Sequence, residues 1–220
     1  SGDDDIDVDV NDLSIGTFTV NGDLPTTSGG DLLSVSGTNA NFSPTSDDQG
    51  TITADAQAIA INGMELVSFD GETANGLLTL TSPSSADNIT LSPGTTIDSG
   101  DIQVASLLGL HFGNLGSSGS VSLADSAGTR SDSLTVTGTT GHDTWTLAAT
   151  NGTLTLNGQV PIATPGITTV TLSDTDGNDT FEVRAPQPYT AIMFSGGQGG
   201  DSATVVGTTA ADVVSVDLGI

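Results

Sequence analysis

The residues of this chain best equipped for chemistry are carboxylates. The segment SDTDGNDT gathers Asp174, Asp176, Asn178 and Asp179, and Asp201 follows on a later turn. Asp143 in TTGHDTWT and Asp212 in TTAADVVS hold the matching place in two other turns. Oxygen-only ligand sets select hard cations, so these seven residues are candidate ligands for Ca²⁺. They equally suit Asx-rich β-turns with solvated carboxylates, because D-G and N-D are ordinary turn dipeptides. Charge gives a second reason to consider a cation: 27 acidic residues face two basic ones, for a formal net charge of −25. If equivalent Asp residues stack about 4.8 Å apart on neighbouring strands, each pair repels by roughly 1 kcal/mol in water, and by several times that where water is partly excluded. A bound cation would offset that repulsion.

Catalytic constellations are sparse. His111 lies in LGLHFGN with no nucleophile that spacing can pair with it, and His142 sits in a turn beside Asp143. Arg130 and Arg184 are the only cationic side chains, and there is one Trp and one Tyr, which leaves little for a polysaccharide lyase or an aromatic sugar platform. Carboxylate pairs for glycoside hydrolysis are so abundant that no single pair is informative. The expectation is a protein that is not an enzyme. The same charge balance excludes a nucleic-acid binder, because nothing could neutralise phosphates. Cysteine is absent, so disulfide scaffolds and thiolate metal sites are excluded as well. No apolar run is long enough to span a bilayer, and the chain opens without a signal-type segment. A processed, extracellular or cell-surface protein with no membrane insertion is expected.

These carboxylates must be held by short strands. Helix formers are scarce, while Val, Leu and Ile alternate with Ser, Thr and Gly through most of the chain. The tract DSLTVTGTTGHDTWTL from Asp132 returns as DSATVVGTTAADVVSV from Asp201, 69 residues later, and more faintly as GLLTLTSPSSADNITL from Gly76. Within it, Leu80 and Leu91, Phe112 and Leu123, Val136 and Leu147, Leu172 and Val183, and Val205 and Val216 are each 11 residues apart. One strand and one turn therefore separate equivalent core positions, a step that suits a solenoid coil. The reduced motif, Asp-x-apolar-x-apolar, begins at Asp31, Asp87, Asp132, Asp143, Asp179, Asp201 and Asp212. Each Asp closes a turn, and the next two inward positions enter the core. Trp145 and Phe181 share one slot of this motif and are expected to stack inside.

GGQGGDSAT, Gly196 to Thr204, fits the nonapeptide G-G-x-G-x-D-x-U-x, whose successive turns offer oxygens to Ca²⁺. With GTTGHDTWTL, NGTLTLNG, PGITTVTL, DGNDTFEV and NGMELVSFDG, it makes the chain resemble bacterial extracellular β-strand-repeat proteins related to the RTX (hemolysin-type) calcium-binding repeats. The resemblance covers about 150 residues and implies a long, calcium-stabilised surface polypeptide. Only one nonapeptide keeps its full glycine set, which favours a looser β-helix over a compact calcium roll.

The resulting expectation is an all-β, right-handed parallel β-solenoid with irregular coils. Residues 1–62 form an acidic N-terminal β section and possible subunit contact, with a polar loop over Ser43 to Asp55, and residues 63–220 form the repeat-built solenoid. Val136, Leu147, Leu172, Val183, Val205 and Val216 should face inward. The function implied is structural: a calcium-stabilised subunit of a filament, surface layer or matrix that assembles head to tail with copies of itself, with Ca²⁺ bridging Asp3–Asp9 to Asp212 and Asp217. Cell-surface polysaccharide is a further candidate partner. An adhesin or passenger stalk and a carbohydrate-active enzyme are the competing classes.

Overall fold

The structure, a computed structural model, describes residues 4–13, 16–22, 30–84 and 86–208. Asp212, Val216 and Asp217 lie outside the described residues. In chain order the strands are β1 (Asp5–Asp9), β2 (Thr17–Asn21), β3 (Leu32–Ser36), β4 (Ala40–Pro44), β5 (Gln49–Ala54), β6 (Gln57–Asn62), β7 (Leu66–Asp70), β8 (Leu77–Ser82), β9 (Asn88–Pro93) and β10 (Gly100–Val104). They continue as β11 (Gly109–Gly113), β12 (Ser120–Asp125), β13 (Asp132–Thr137), β14 (Thr144–Leu147), β15 (Leu154–Leu156), β16 (Ile162–Ala163), β17 (Ile167–Ser173), β18 (Thr180–Arg184), β19 (Ala191–Ser195) and β20 (Ser202–Val206). Among the described residues no helix is long and apolar enough to cross a membrane.

The protein is all-β, built as two large, mostly parallel sheets around one hydrophobic core. The nine-stranded sheet runs β1-β3-β7-β11-β10-β9-β13-β17-β19, and the eleven-stranded sheet runs β2-β6-β5-β4-β8-β12-β16-β15-β14-β18-β20. Period-2 alternation explains the strands: Leu134 and Val136 of β13, and Trp145 and Leu147 of β14, are buried while their neighbours are not. The 11-residue step carries the chain from one sheet to the other, since Val136 and Leu172 lie in the first and Leu147 and Val183 in the second. Between the last strands of each sheet the return takes 22 residues, where Val170 pairs with Ile192 and Phe181 with Ala203. The core positions Val136, Leu147, Leu172 and Val183 are buried as expected. Val205 is not: it is 46% exposed, because β20 is the outermost described strand of its sheet and all of its residues are exposed.

Two further expectations need correction. The segment Ser43 to Asp55 is not a loop, since β4 and β5 pair across it in antiparallel register from Ala40↔Ala54 to Pro44↔Gly50. The parallel ladder is also interrupted three times by antiparallel meanders: β4-β5-β6, β9-β10-β11 and β14-β15-β16. The first and third lie in the eleven-stranded sheet and the second in the nine-stranded one. The boundary at 62/63 falls between β6 and β7, and pairing crosses it, β3 with β7 and β4 with β8.

Five connections from the nine-stranded to the eleven-stranded sheet have the same length: residues 71–76, 114–119, 138–143, 174–179 and 196–201. The last three stack closely. A Cβ on Gly177, whose φ is +155°, would lie 2.2 Å from the carbonyl oxygen of Gly141, so the corner cannot accept a side chain there. Gly177 N–H donates to Gln198 O at 2.9 Å, and Thr175 Oγ1 donates to Thr139 O at 2.9 Å.

Candidate metal centre

The Asp of the repeated motif has a local task that the stacked corners make visible. Asp143 N–H donates to Asp179 Oδ1 at 2.9 Å, and Asp179 N–H donates to Asp201 Oδ1 at 3.0 Å. On the opposite corner Asp4 N–H donates to Asp31 Oδ1 at 2.8 Å, and Asp87 N–H to Asp132 Oδ1 at 2.9 Å. Each carboxylate thus caps the entry amide of the neighbouring, earlier strand, a charge-assisted bond that satisfies a backbone donor the sheet ladder leaves over. A single file of carboxylates held this way needs no cation.

One corner departs from single file. Position one of the six-residue corner is Gly71, Asn114, Gly138 and Gly196 in the other copies, but Asp174 here. Asp174 follows β17 and is 5% exposed; Asp143, entering β14, and Asp179, entering β18, are each 1% exposed. Oxygens of the three carboxylates lie within 4.8 Å of one another. There is room for Asp174 only because its neighbour is glycine: a Cβ on Gly138 would sit 2.5 Å from both Asp174 oxygens.

Neutral donors serve part of this cluster. Trp145 Nε1 donates to Asp174 Oδ2 at 3.1 Å, and Thr175 N–H donates to Asp174 Oδ1 at 2.9 Å. Asp143 accepts from Thr139 N–H at 2.8 Å, from Thr139 Oγ1 at 3.0 Å and from the Asn157 side-chain amide. Asp179 Oδ2 is buried and has no hydrogen-bond partner. Neither arginine comes to its aid, as Arg130 donates to Thr164 O and Ile167 O, and Arg184 pairs with Glu182. At about 4.8 Å and an effective dielectric near 20, two like charges repel by about 3 to 4 kcal/mol. Burial accordingly raises the Asp174 pKa above the ordinary carboxylate range, and the nearby Asp143 carboxylate adds to the rise against the hydrogen bonds from Trp145 and Thr175. A buried group of three carboxylates with one unsatisfied oxygen can hold a metal ion, and an all-oxygen set of this kind favours a hard one.

The structure therefore brings together Asp143, Asp174 and Asp179 of the seven candidate ligands. Asp176 and Asn178 are exposed on the same corner: Asp176 bridges to Gln198, and Asn178 Oδ1 accepts from Gly200 N–H at 2.7 Å. Asp201 is exposed and engaged with the Asp179 amide. Asp212 lies outside the described residues. Trp145 and Phe181 stack as expected, 6.1 Å between centroids and 11° apart, and Phe194 extends the stack at 5.0 Å from Phe181. Sequence reading missed the roles of Trp145, Thr139 and Asn157 around the cluster. Trp145 shares the Asp-x-apolar motif with Asp143, but its indole N–H reaches across to Asp174, which no spacing within one strand discloses.

His142 Nδ1 accepts from Asn178 N–H at 2.8 Å and belongs to the corner stack. His111 Nδ1 meets Asp101 Oδ1 at 2.8 Å on the open face of the nine-stranded sheet, with Ser68 as its in-register neighbour on β7. That pair is 46% and 63% exposed, where a hydrogen-bonded ion pair contributes little. Comparison with family models, curated proteins and solved structures finds no match for the chain. The geometry above is what a functional reading has to stand on.

Proposed function

We infer that this chain is a structural module of the bacterial cell exterior: a right-handed β-solenoid, clamped by Ca²⁺, that serves as a subunit of a filament, surface layer or matrix. The observation that carries the reading is the buried Asp143, Asp174 and Asp179 group with its unpartnered Asp179 oxygen. Three carboxylates converging without a basic side chain call for a hard cation, and a site with few further protein donors suits the millimolar calcium found outside cells. The sheet-to-sheet path, the 22-residue return and the continuous apolar core support the solenoid. Outward positions are dominated by Ser, Thr and Asn, as in the stacked pairs Thr135↔Thr171 and Asn41↔Thr79, which suits a scaffold presenting a hydrated, uniform face. Head-to-tail growth would use strand addition at the outermost strands, β1 and β2 at one end and β19 and β20 at the other.

The test is thermal unfolding of the full chain in millimolar Ca²⁺ and in excess EGTA. The midpoint should fall by many degrees in EGTA and recover on adding calcium. An identical midpoint in both would remove the clamp. Negative-stain images of the calcium form should show end-to-end assemblies that disappear when residues 1–12 are deleted, and a monodisperse monomer of the intact chain would remove the polymer.

A further inference from the structure

Resting on the reading that the Asp143, Asp174 and Asp179 group takes a cation, we propose that a hard divalent ion is a conditional staple: residues 132–206 are ordered by it, whereas residues 31–125 fold without it. The ligands explain the division. Asp143 leads into β14, Asp179 leads into β18 and Asp174 ends β17, so one ion joins two successive corners and both sheets at once. The unpartnered, buried Asp179 Oδ2 points independently to a missing ligand.

What hangs from those corners is the least covered part of the described chain. Asp174 N–H donates to Ser195 O at 2.6 Å, Ser202 N–H donates to Asp179 O at 2.8 Å, and Asp179 N–H donates to Asp201 Oδ1 at 3.0 Å. At its corner, the coil of β19 and β20, which also pairs along β17 and β18, is therefore attached through the same residues that carry the charge. Ile192 and Phe194 of β19 are partly buried against the core, but Met193 is 54% exposed, and Val205 and Val206 of β20 are 46% and 45% exposed. Repulsion within the cluster loosens the attachment of a coil whose second strand, β20, is exposed along its whole length.

The earlier corners have no such liability. Residues 71–76 and 114–119 begin with Gly71 and Asn114 and end with Gly76 and Gly119, so neither ladder position carries a carboxylate. Amide-to-amide bonds tie them, Leu77 N–H to Asn39 Oδ1 at 2.9 Å and Ser118 N–H to Asn75 Oδ1 at 2.9 Å, and the carboxylates that reach them, Asp70 and Asp98, each accept from neutral donors, Asn114 Nδ2 at 2.9 Å and Gly116 N–H at 3.1 Å.

The chain also carries its own reporter. Trp145 is the only tryptophan, is fully buried, and donates its indole N–H to Asp174. Excitation of this ring should sensitise luminescence of Tb³⁺ placed among the three carboxylates, and Ca²⁺ should compete it away. Hydrogen exchange by mass spectrometry on the full chain then reads the division directly. In EGTA, peptides from 132–206 should exchange at least about tenfold faster than in Ca²⁺, while peptides from 31–125 keep their rates. Asp174→Asn retains an oxygen for Trp145 and should abolish both the Tb³⁺ signal and the calcium dependence of exchange. Equal acceleration across both regions would overturn the staple while leaving a cation site standing. No Tb³⁺ signal, together with no calcium effect on exchange anywhere, would overturn the site and the staple with it. Calcium-dependent exchange that persists unchanged in Asp174→Asn would place the ion elsewhere and overturn the staple at this corner.

Discussion

Asp132 and Asp174 are both buried carboxylates at strand termini of the nine-stranded sheet, and burial raises the pKa of each. Their surroundings differ in kind. Asp132 accepts from Ser82 Oγ at 2.6 Å and from Asp87 N–H at 2.9 Å, one neutral donor for each oxygen. Asp174 also has two neutral donors, but it faces Asp143 and Asp179 across a gap of less than 5 Å. Asp132, buried with the Asp125 and Asp87 charges only adding to the rise that burial causes, can be satisfied by a hydroxyl and an amide. Three carboxylates that converge cannot, because every added hydrogen bond leaves the mutual repulsion in place.

The largest effect should come from the aromatic wall behind Trp145, the indole that donates to Asp174. Phe181→Ala removes the ring that stacks on Trp145, should cost about 3 to 5 kcal/mol in denaturant unfolding, and should weaken the response to calcium because the indole loses its orientation. Loss of stability with an unaltered calcium response would mean that the pocket does not depend on this wall. Next in size is Ser82→Ala, which strips a donor from Asp132 and should cost about 1 to 3 kcal/mol, equally in calcium and in EGTA. A cost that changes with calcium would show that the Asp132 pocket also feels an ion.

Asp174→Asn sharpens the contrast by reversing sign. In EGTA it should stabilise the protein by about 1 to 2 kcal/mol through lost like-charge repulsion, and in saturating calcium it should destabilise it through the lost ligand. The same sign under both conditions would argue against a cation at this corner. The pH dependence follows from the raised Asp174 value. The fold favours its protonated form, so this group's contribution is greatest below the unfolded carboxylate pKa and declines as pH rises through the higher folded one. In EGTA the midpoint should therefore rise as pH is lowered from 7 towards the Asp174 value, and in calcium that rise should vanish because the ligands must be deprotonated to bind. The smallest effect belongs to Asp132→Asn, within about 1 kcal/mol of the parent and indifferent to calcium, since an amide oxygen can still accept from Asp87 N–H.

How far these features could be read in the sequence depends on what sets them. Strands such as β3, β9, β13, β14 and β18 were legible, because an Asp ends the preceding turn and two inward apolar residues follow. The antiparallel pairing of the meanders, and several of their strands, were not. β5 turns Gly50, Ile52 and Ala54 inward, β16 has two residues, and β10 begins at Gly100, so their patterns are too short or too weak to stand out. Asp143, Asp174 and Asp179 stood among the candidate ligands, but sequence could not separate Asp174 from Asp176. Two residues apart in one corner, they differ only in that one turns beneath Gly138 and the other outward, and the partner that permits this is 36 residues away.

The three meanders bear on shape. Each one lengthens its own sheet by two strands, and without them both sheets would have seven passes. At about 4.8 Å per strand, one uncompensated meander makes one face of the stack about 10 Å longer than the other. Two bonded layers of unequal length bend, as a bimetallic strip does on heating. Here the insertions alternate, first in one sheet, then in the other, then back, so the mismatch opened by β4-β5-β6 is closed by β9-β10-β11 before the next begins. The third, β14-β15-β16, leaves the sheets at eleven and nine strands; excising it would level them at nine each, whereas excising β9-β10-β11 would leave eleven against seven and bend the stack further, without touching core residues elsewhere.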